Sequence, residues 1–591
     1  MFKRTAGYTT DGIPGQLPPD SIPEDVDVGK VSELATDYLK DLNPTILTHD
    51  VLWRDWMSLT GQHRTFYGTA AVSETWTKAV LQKRLTDIEV KSKRVLRPCP
   101  GSSWVSLTVT YNTQQENGLK GFHTANLGLV PDSGSWKIWM LVTILESFEG
   151  YNHPDEPQMA PAPERSILSS GCDYSVVVVG GGQGGLSLAG RLRALNIPTL
   201  VIEKGPAVGN AWTSKYDSVK QHTLREYNNL PFGRTWNKDD PDLLPGKVVA
   251  DGFAKYTEKY GIAVWVNSEI VSSAHDDSTG TWTFEVVIKD PSSGSAKSRT
   301  IRTKHLAVAT GAGVGAPSMP SINGTEQFRG TYIHQSSFRN AKQFSGKRAV
   351  IIGTGTTGHD IAQDCFNNDM RVTIVQRGPT AIYPIEWVLE TQKHLWNLDM
   401  DTGLADRMGG TAPVKVGCEI IKRNMQAAAK QPQYVKLFED LEKRGFRVDR
   451  ESGMLDQIWQ RYGGYYIDVG ASKHIADGDI NVKSAVPIAE LTADGILFED
   501  GEEIKADLIV AATGYDQDYR KQVAQIVGND IASQLPEFWG LTKDGDVRGF
   551  MQESRPGLWM IGGTAPQARW SSRFVAMAIM LDLLGIENVV T

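Results

Sequence analysis

Tyr174-Ser-Val-Val-Val-Val-Gly180-Gly-Gly182-Gln-Gly-Gly185 and, further along, Arg348-Ala-Val-Ile-Ile352-Gly353-Thr-Gly355-Thr-Thr-Gly358 decide the fold of this chain. Each is a short apolar, β-branched run that breaks into Gly-x-Gly-x-x-Gly. A continuous apolar run suits a strand of a parallel sheet covered on both faces. In such a loop the first glycine permits the tight turn. The second lets backbone approach a pyrophosphate, and the third allows the following helix to pack closely on the strand. The free N–H groups of that helix then face an anion. One such loop is weak evidence, because glycines recur in many turns. Two, each with strand before and helix after, predict two dinucleotide sites and electron transfer between two bound nucleotides.

The strands that follow the loops assign the nucleotides. Leu200-Val-Ile-Glu203 ends in an acid, which accepts hydrogen bonds from a ribose diol and repels a 2′-phosphate. Val372-Thr-Ile-Val-Gln376-Arg377 ends in a guanidinium, which suits a 2′-phosphate through bidentate contact. FAD is therefore expected at Gly180, Gly182, Gly185 and Glu203. NADPH is expected at Gly353, Thr354, Gly355, Thr357, Gly358 and Arg377.

At 591 residues the chain exceeds what one core can organise, so several domains are expected. Its hydrophobic content of 40%, charged content of 22% and net charge of −8 describe an ordinary globular protein and argue against a nucleic-acid partner. No run is long and apolar enough for a membrane helix, and Phe574 to Leu581 reads as a buried helix that ends at Asp582. The N-terminus carries no secretory pattern, Asn323-Gly-Thr325 reads as a chance glycosylation match, and a cytoplasmic location is expected. Cys99, Cys172, Cys365 and Cys418 have no disulfide or zinc spacing, so no metal site is expected.

The expected class is α/β, with two dinucleotide-binding, Rossmann-like domains preceded by a small α+β cone-shaped domain. The first ~20 residues, rich in Gly, Pro and Thr, read as a mobile arm. An N-terminal α+β domain is expected over 1–150, with helical spacing at Leu34, Tyr38 and Leu42 and a curved antiparallel sheet from Trp104 to Leu145. Pro154, Pro157, Pro161 and Pro163 mark a linker over 151–172. The first part of the FAD-binding domain is expected over 173–340. The NADPH-binding domain follows over 341–490, with a helical insertion at 387–475. Residues 491–591 return to the NADPH domain and complete the FAD domain. Asp500-Gly501 reads as a hairpin turn.

Between the two loops stands Phe328-x-Gly330-x-x-x-His334-x-x-x-Phe338, which resembles the identifying signature of class B flavin-dependent monooxygenases. Glu203-Lys204 with Gly209-Asn-Ala-Trp212 looks like that family's FAD segment, adding Lys204, Gly209 and Trp212 to the expected cofactor residues. Ala512-Thr-Gly-Tyr515 resembles its second linker motif. The resemblance covers roughly 173–385 and 485–585, and it implies a linking role for His334 rather than acid–base chemistry. Trp53 to Gly68 resembles the cone-shaped domains of the nuclear-transport-factor-2-like superfamily, which implies a binding module, a dimerisation module or an enzyme; a structural or dimerising role is favoured because no acid/base pair stands out, and a homodimer stays open.

Within the flavin family, Phe338 stands where Baeyer–Villiger members usually carry Trp, and no Pro-Gly step follows Trp212. Heteroatom-oxidising members place an Asn beside the flavin, where His222 falls in Lys220-Gln-His222. The auxin-forming YUCCA branch looks similar, so His222 is the candidate catalytic residue, with a packing histidine as the alternative. The resemblance implies an FAD- and NADPH-dependent monooxygenase that uses O2 through a C4a-(hydro)peroxyflavin. A carbonyl or 2-oxo-acid substrate is favoured over an amine or sulfide. An NADPH oxidase and an N/S-oxygenating enzyme stay as alternatives, and a disulfide oxidoreductase is disfavoured for want of a cysteine pair. Trp387, Trp396, Trp459, Tyr465 and Tyr466 in the insertion either line an apolar pocket for a small organic substrate or form plain core.

Overall fold

The structure is a computed structural model, and it describes residues 10–115, 117–157, 167–311, 315–461, 463–552 and 555–587. The first glycine-rich strand, Val176–Val179, lies inside a six-stranded sheet. Its neighbours are His305–Val308 on one side and Thr199–Ile202 on the other, both parallel. The sheet is completed at one edge by Ala263–Trp265. At the other edge stands Leu558–Met560, drawn from far along the chain, with Met551–Gln552 antiparallel beyond it. Val176, Val177 and Val178 are fully buried, as strands covered on both faces must be.

The second glycine-rich strand, Arg348–Ile352, sits in a five-stranded parallel sheet. Leu508–Ala511 and Thr331–His334 lie on one side, with Arg371–Gln376 and Ile480–Ser484 on the other. Thr331–His334 therefore belongs hydrogen-bonded to the second sheet, although the boundary at 340 places it with the first unit. The reason lies far along the chain: Leu508–Ala511 offers an edge, and Thr331–His334 pairs along it in parallel register.

Residues Leu47 to Phe148 form a six-stranded curved sheet that is antiparallel except where Leu47–Trp56 runs alongside Ser135–Phe148. Helix Thr69–Gln82 and two short helices, Val28–Glu33 and Ala35–Lys40, close its concave side over Trp53, Trp76, Val105 and Tyr111. Residues 10–20 are not a loose arm. Ile13 and Leu17 are 5% and 7% exposed, because they cover apolar surface that the sheet and the insertion helices leave open. Pro161 and Pro163 lie outside the described residues.

This N-terminal body docks on the rest of the chain through aromatic and ionic contacts. Trp56 stacks on Phe574 at 5.1 Å and meets Trp570 edge-on, and its indole N–H donates to the Thr411 carbonyl at 3.1 Å. Arg573, fully buried, donates to Glu146 and Asp155, each at 2.8 Å. Arg407 reaches the same two carboxylates, and Arg191 holds Asp155 and the Pro154 carbonyl. Three guanidinium groups and two carboxylates thus join the N-terminal sheet, the linker, the helix after the first glycine loop, the insertion and the long helix Ala565–Leu583. Phe574 to Leu581 is buried in that helix, as its apolar run requires.

Candidate functional site: two glycine sockets and the junction between them

In the first loop Gly180 has φ +115°, and a Cβ there would come within 2.4 Å of the Ala309 carbonyl oxygen. A Cβ on Gly185 would lie 2.0 Å from the Gly180 oxygen. Only glycine fits at either end of the turn. At Gly182, between them, an added Cβ meets nothing within 4 Å, so this side of the loop is open. Helix Gln183–Ala194 starts there with no side-chain cap, which leaves its N-terminal N–H groups for a ligand. Gly182 and this bare helix end offer open space and free N–H donors, as a pyrophosphate site needs.

Glu203 ends the neighbouring strand with Oε2 accepting from the Gly181 N–H at 2.7 Å and Oε1 from the Gly205 N–H at 2.6 Å. The carboxylate is thereby fixed beside the loop with lone pairs left for a diol. Lys204 points away and pairs with Glu269 at 2.6 Å on the surface. Gly209, at φ +72°, opens the one-turn helix Asn210–Thr213, and a Cβ there would press on Ala250 and Phe253. Trp212, half-buried, packs against the cores of both nucleotide units.

The second loop repeats the pattern. Gly353 has φ +118° and leaves 2.4 Å to the Ala512 oxygen, and Gly358 leaves 2.1 Å to the Gly353 oxygen. Gly355 is open out to the Tyr465 carbonyl at 4.0 Å, and it starts the uncapped helix Thr356–Asn367. Thr354 is buried and shares a 2.6 Å hydroxyl contact with Thr380, while the Thr357 side chain bonds the Tyr216 hydroxyl. Arg377 is exposed at the end of Arg371–Gln376 and has no ion-pair partner among the described residues. A cation on a rigid strand end with no protein partner fits a 2′-phosphate, and the residues of both loops fit the two dinucleotides.

The signature segment is fastened to the second sheet. The His334 Nε2–H donates to the Gly514 carbonyl at 2.8 Å, and its Nδ1 accepts from the Ser336 N–H. It stands edge-on to Tyr515 at 5.3 Å. Burial pushes its pKa below the usual histidine value, so a neutral, cross-linking ring is favoured. Gly330 lies where a Cβ would sit 2.7 Å from the Asp507 carbonyl, and Phe338 is buried in the second core. The spacing of the signature is thus dictated by packing between Leu508–Ala511 and its neighbour.

His222 lies where the two units meet. It is 8% exposed, and its Nε2 is 3.4 Å from Oδ1 of Asp360, on the helix of the second loop. The other oxygen of Asp360 accepts from the Tyr216 hydroxyl at 2.7 Å. Burial raises the Tyr216 pKa, with the Asp360 charge adding to the effect, so the phenol stays protonated. Neither Asp360 nor Tyr216 stands out in the sequence. The available signal is position, since Asp360 follows the third glycine of its loop by two residues. Nearby, Arg569 forms a bidentate pair with Asp406 at 2.6 and 2.7 Å and donates to the Tyr227 and Asn229 carbonyls, fixing the segment after His222.

The insertion aromatics divide. Trp387, with Tyr383, Met425, Phe438 and Lys422, lines a cavity beside strand Ala381–Pro384. Tyr466 stacks on His359 at 3.9 Å, Trp459 packs on Trp539, and Trp396 meets Tyr227 edge-on. Tyr465 stands 6.0 Å from Tyr383. Cys99, Cys172, Cys365 and Cys418 are all free, and burial holds the Cys365 and Cys418 thiols above the usual range. No helix among the described residues is long and apolar enough to cross a membrane.

Residues 174–401 match the family model described as pyridine nucleotide-disulphide oxidoreductase. The indole-3-pyruvate monooxygenase YUCCA1 of Oryza sativa subsp. japonica is 26% identical over 345 residues, covering 57% of this chain and 76% of that protein. The probable indole-3-pyruvate monooxygenase YUCCA3 of Arabidopsis thaliana is 24% identical over 434 residues, covering 71% and 90%. Among solved structures, a cyclohexanone monooxygenase mutant from Rhodococcus sp. Phi1 bound to NADP+ aligns with TM-score 0.49 and 17% identity over 69% of this chain and 85% of that one. A flavin-containing monooxygenase from Stenotrophomonas maltophilia aligns with TM-score 0.44 and 17% identity over 70% and 98%.

Proposed function

We infer, from the premise that this chain is an oxidoreductase of the flavin-dependent monooxygenase family with FAD and NADPH as its cofactors, that it inserts one atom of O2 into a small organic substrate. A carbonyl compound or 2-oxo acid is favoured over an amine or sulfide. The carrying observation is the pair of sockets, each closed by glycine at both ends and open at the middle glycine, set in two parallel sheets that meet at His222.

FAD belongs to the Gly180 socket, where Glu203 takes the ribose diol, and NADPH to the Gly353 socket, where Arg377 takes the 2′-phosphate. Bound flavin reduced by NADPH supplies the activation of O2. The chain supplies position: the two bare helix ends hold the pyrophosphates. The His334–Gly514 link keeps the second sheet aligned, and the Arg569–Asp406 pair steadies the segment that carries His222. The substrate preference is supported by His222 at a position where heteroatom-oxidising members carry Asn, and by the 2-oxo acid in the names of the YUCCA relatives. The N-terminal domain acts as a scaffold for the long helix Ala565–Leu583 through Trp56 and Glu146.

The test is anaerobic reduction of the purified protein by NADPH, then oxygen with ketones, 2-oxo acids, amines and sulfides, with product and peroxide both measured. Oxygenated product in step with NADPH use supports the reading. Stoichiometric peroxide with every substrate class makes the protein an NADPH oxidase. Product from amines or sulfides alone overturns the carbonyl preference, and absence of bound flavin overturns the whole assignment.

A further inference from the structure

Three polar atoms on two consecutive residues are buried with no hydrogen-bond partner: Oε1 of Gln221 and both ring nitrogens of His222. Leaving such a group unmet costs about 1–3 kcal/mol; Nε2 has the Asp360 carboxylate 3.4 Å away, so Oε1 of Gln221 and Nδ1 of His222 are the atoms that point to a ligand. The backbone around them is held firmly. The Gln221 N–H donates to the Leu244 carbonyl at 2.9 Å, and the Leu224 N–H to Oε1 of Gln392 in the insertion at 2.8 Å.

The groups facing His222 come from three elements. From the second-loop helix comes Asp360, 3.4 Å from Nε2, and from the preceding loop Tyr216, which holds the far oxygen of Asp360. Lys215 lies within electrostatic reach of Asp360. Strand Tyr465–Asp468 brings Tyr466, edge-on to His222 at 6.4 Å, with His359 stacked behind it and Asp468 within reach of His359. Burial lowers the His359 pKa to about 4, so that ring stays neutral. Among the described residues, the Asp360 carboxylate is the one charged group that approaches a nitrogen of His222. An acceptor at Nε2 places the ring proton there and leaves Nδ1 with a lone pair, because each nitrogen's state is set by the partner of the other. The 3.4 Å separation is the long contact typical of a site before its ligands bind.

We propose that Asp360, pinned by Tyr216, is a positioning residue that fixes the tautomer of His222, and that Nδ1 of His222 is the general base on an O–H group held between the two dinucleotides. The inference rests on the monooxygenase reading above and deepens it. In the step, the O–H bond breaks with its electron pair left on oxygen, and an N–H bond forms at Nδ1. The imidazolium so made is held by the Asp360 carboxylate, and the proton passes back to the hydroxide that leaves, which departs as water when turnover ends. A nucleophilic oxygen of this kind attacks a carbonyl carbon, which agrees with the substrate preference.

The experiment uses flavin-loaded protein labelled with 15N-histidine, with His222→Gln used to identify the His222 signals. The expected spectrum has a protonated Nε2 and a bare Nδ1. In Asp360→Asn the amide can donate to Nε2, so the proton moves to Nδ1. Product formation from a carbonyl substrate then falls on the order of a hundredfold or more, while anaerobic flavin reduction by NADPH is retained. Asp360→Glu, which keeps an acceptor, restores the tautomer and part of the product. A wild-type spectrum with the proton on Nδ1 overturns the proposal, as does an Asp360→Asn variant with unchanged tautomer and product. The wild-type spectrum needs no substrate and no Asp360 variant, only a folded His222→Gln protein for its assignment. A protein that yields only peroxide therefore defeats the monooxygenase reading while the positioning role of Asp360 is still judged.

Discussion

The Arg569–Asp406 pair allows a sharp energetic prediction. Both side chains are buried, at 2% and 5% exposure, and they meet through two parallel N–H to carboxylate contacts of 2.6 and 2.7 Å. Arg569→Met leaves the Asp406 charge buried with only the Trp396 indole N–H, 2.9 Å away, to meet it. Asp406→Leu leaves the guanidinium with only the Tyr227 and Asn229 carbonyls. Stranding one member of a buried pair costs about 3–5 kcal/mol, so simple addition would set the double variant about 6–10 kcal/mol below wild type. Removing both charges together avoids any stranded ion, and the residual cost is that of carbonyl and indole groups left without partners, about 1–3 kcal/mol. The double variant is thus more stable than either single one. Equilibrium denaturation followed by tryptophan fluorescence, on all four proteins, measures the coupling. Single costs that add within about 0.5 kcal/mol refute the argument, because the pair would then be solvated rather than buried.

Gly182→Ala and Gly185→Ala separate the two glycine roles. The first adds a methyl group to open space, so melting of the flavin-free protein stays within a degree or two while flavin affinity drops, measured by titration of flavin fluorescence. The second drives a Cβ into the Gly180 carbonyl, so both stability and flavin binding are lost. Arg377→Ala removes a charge-assisted contact of about 1.5–3 kcal/mol, so KM for NADPH rises roughly 10- to 150-fold, whereas KM for NADH is unchanged in steady-state assays. Burial alone would raise the Glu146 pKa, but Arg573 and Arg407 outweigh it and hold the carboxyl at about 2 instead of 4.5. That depressed value contributes stability present above pH 4.5 and lost as pH falls toward 2. Acid-melting curves therefore show a slope in this window that Glu146→Gln flattens, with a lower plateau at neutral pH.

Much of the nucleotide architecture was legible because it is written locally. Strand, Gly-x-Gly-x-x-Gly and helix are contiguous, and the third glycine of each loop answers to the carbonyl of the first, although Gly180 and Gly353 answer to the distant Ala309 and Ala512 carbonyls. Asp500-Gly501 likewise reads as a turn from two residues, and Gly501 adopts φ +86° between its strands. What escaped the sequence is long-range. Thr331–His334 joins the second sheet because of an edge on Leu508–Ala511, which lies more than a hundred residues away. Ile13 and Leu17 sit in a Gly- and Pro-rich stretch, and only the surface they cover explains their burial. At the site, His222 was recognisable as a departure from a pattern. Its partners Asp360 and Tyr216 were not, because a carboxylate two residues beyond a glycine loop is unremarkable until the fold sets an imidazole beside it.

The late strand Leu558–Met560 has a consequence for how the protein is made. The sheet around the first glycine loop begins with Val176–Val179, yet its order is finished only when Leu558–Met560 pairs with His305–Val308. On the ribosome, the unit around the first glycine loop therefore emerges as a set of parallel strands with one hydrogen-bonding edge bare, through synthesis of some two hundred and fifty residues. Helix Ala565–Leu583, whose side chains fill the same core, arrives later still. Bare edges and uncovered apolar faces are what chaperones bind and what aggregation propagates from. Nascent chains arrested before Leu558 should be held by chaperones or precipitate, while chains released after the helix fold and take up flavin.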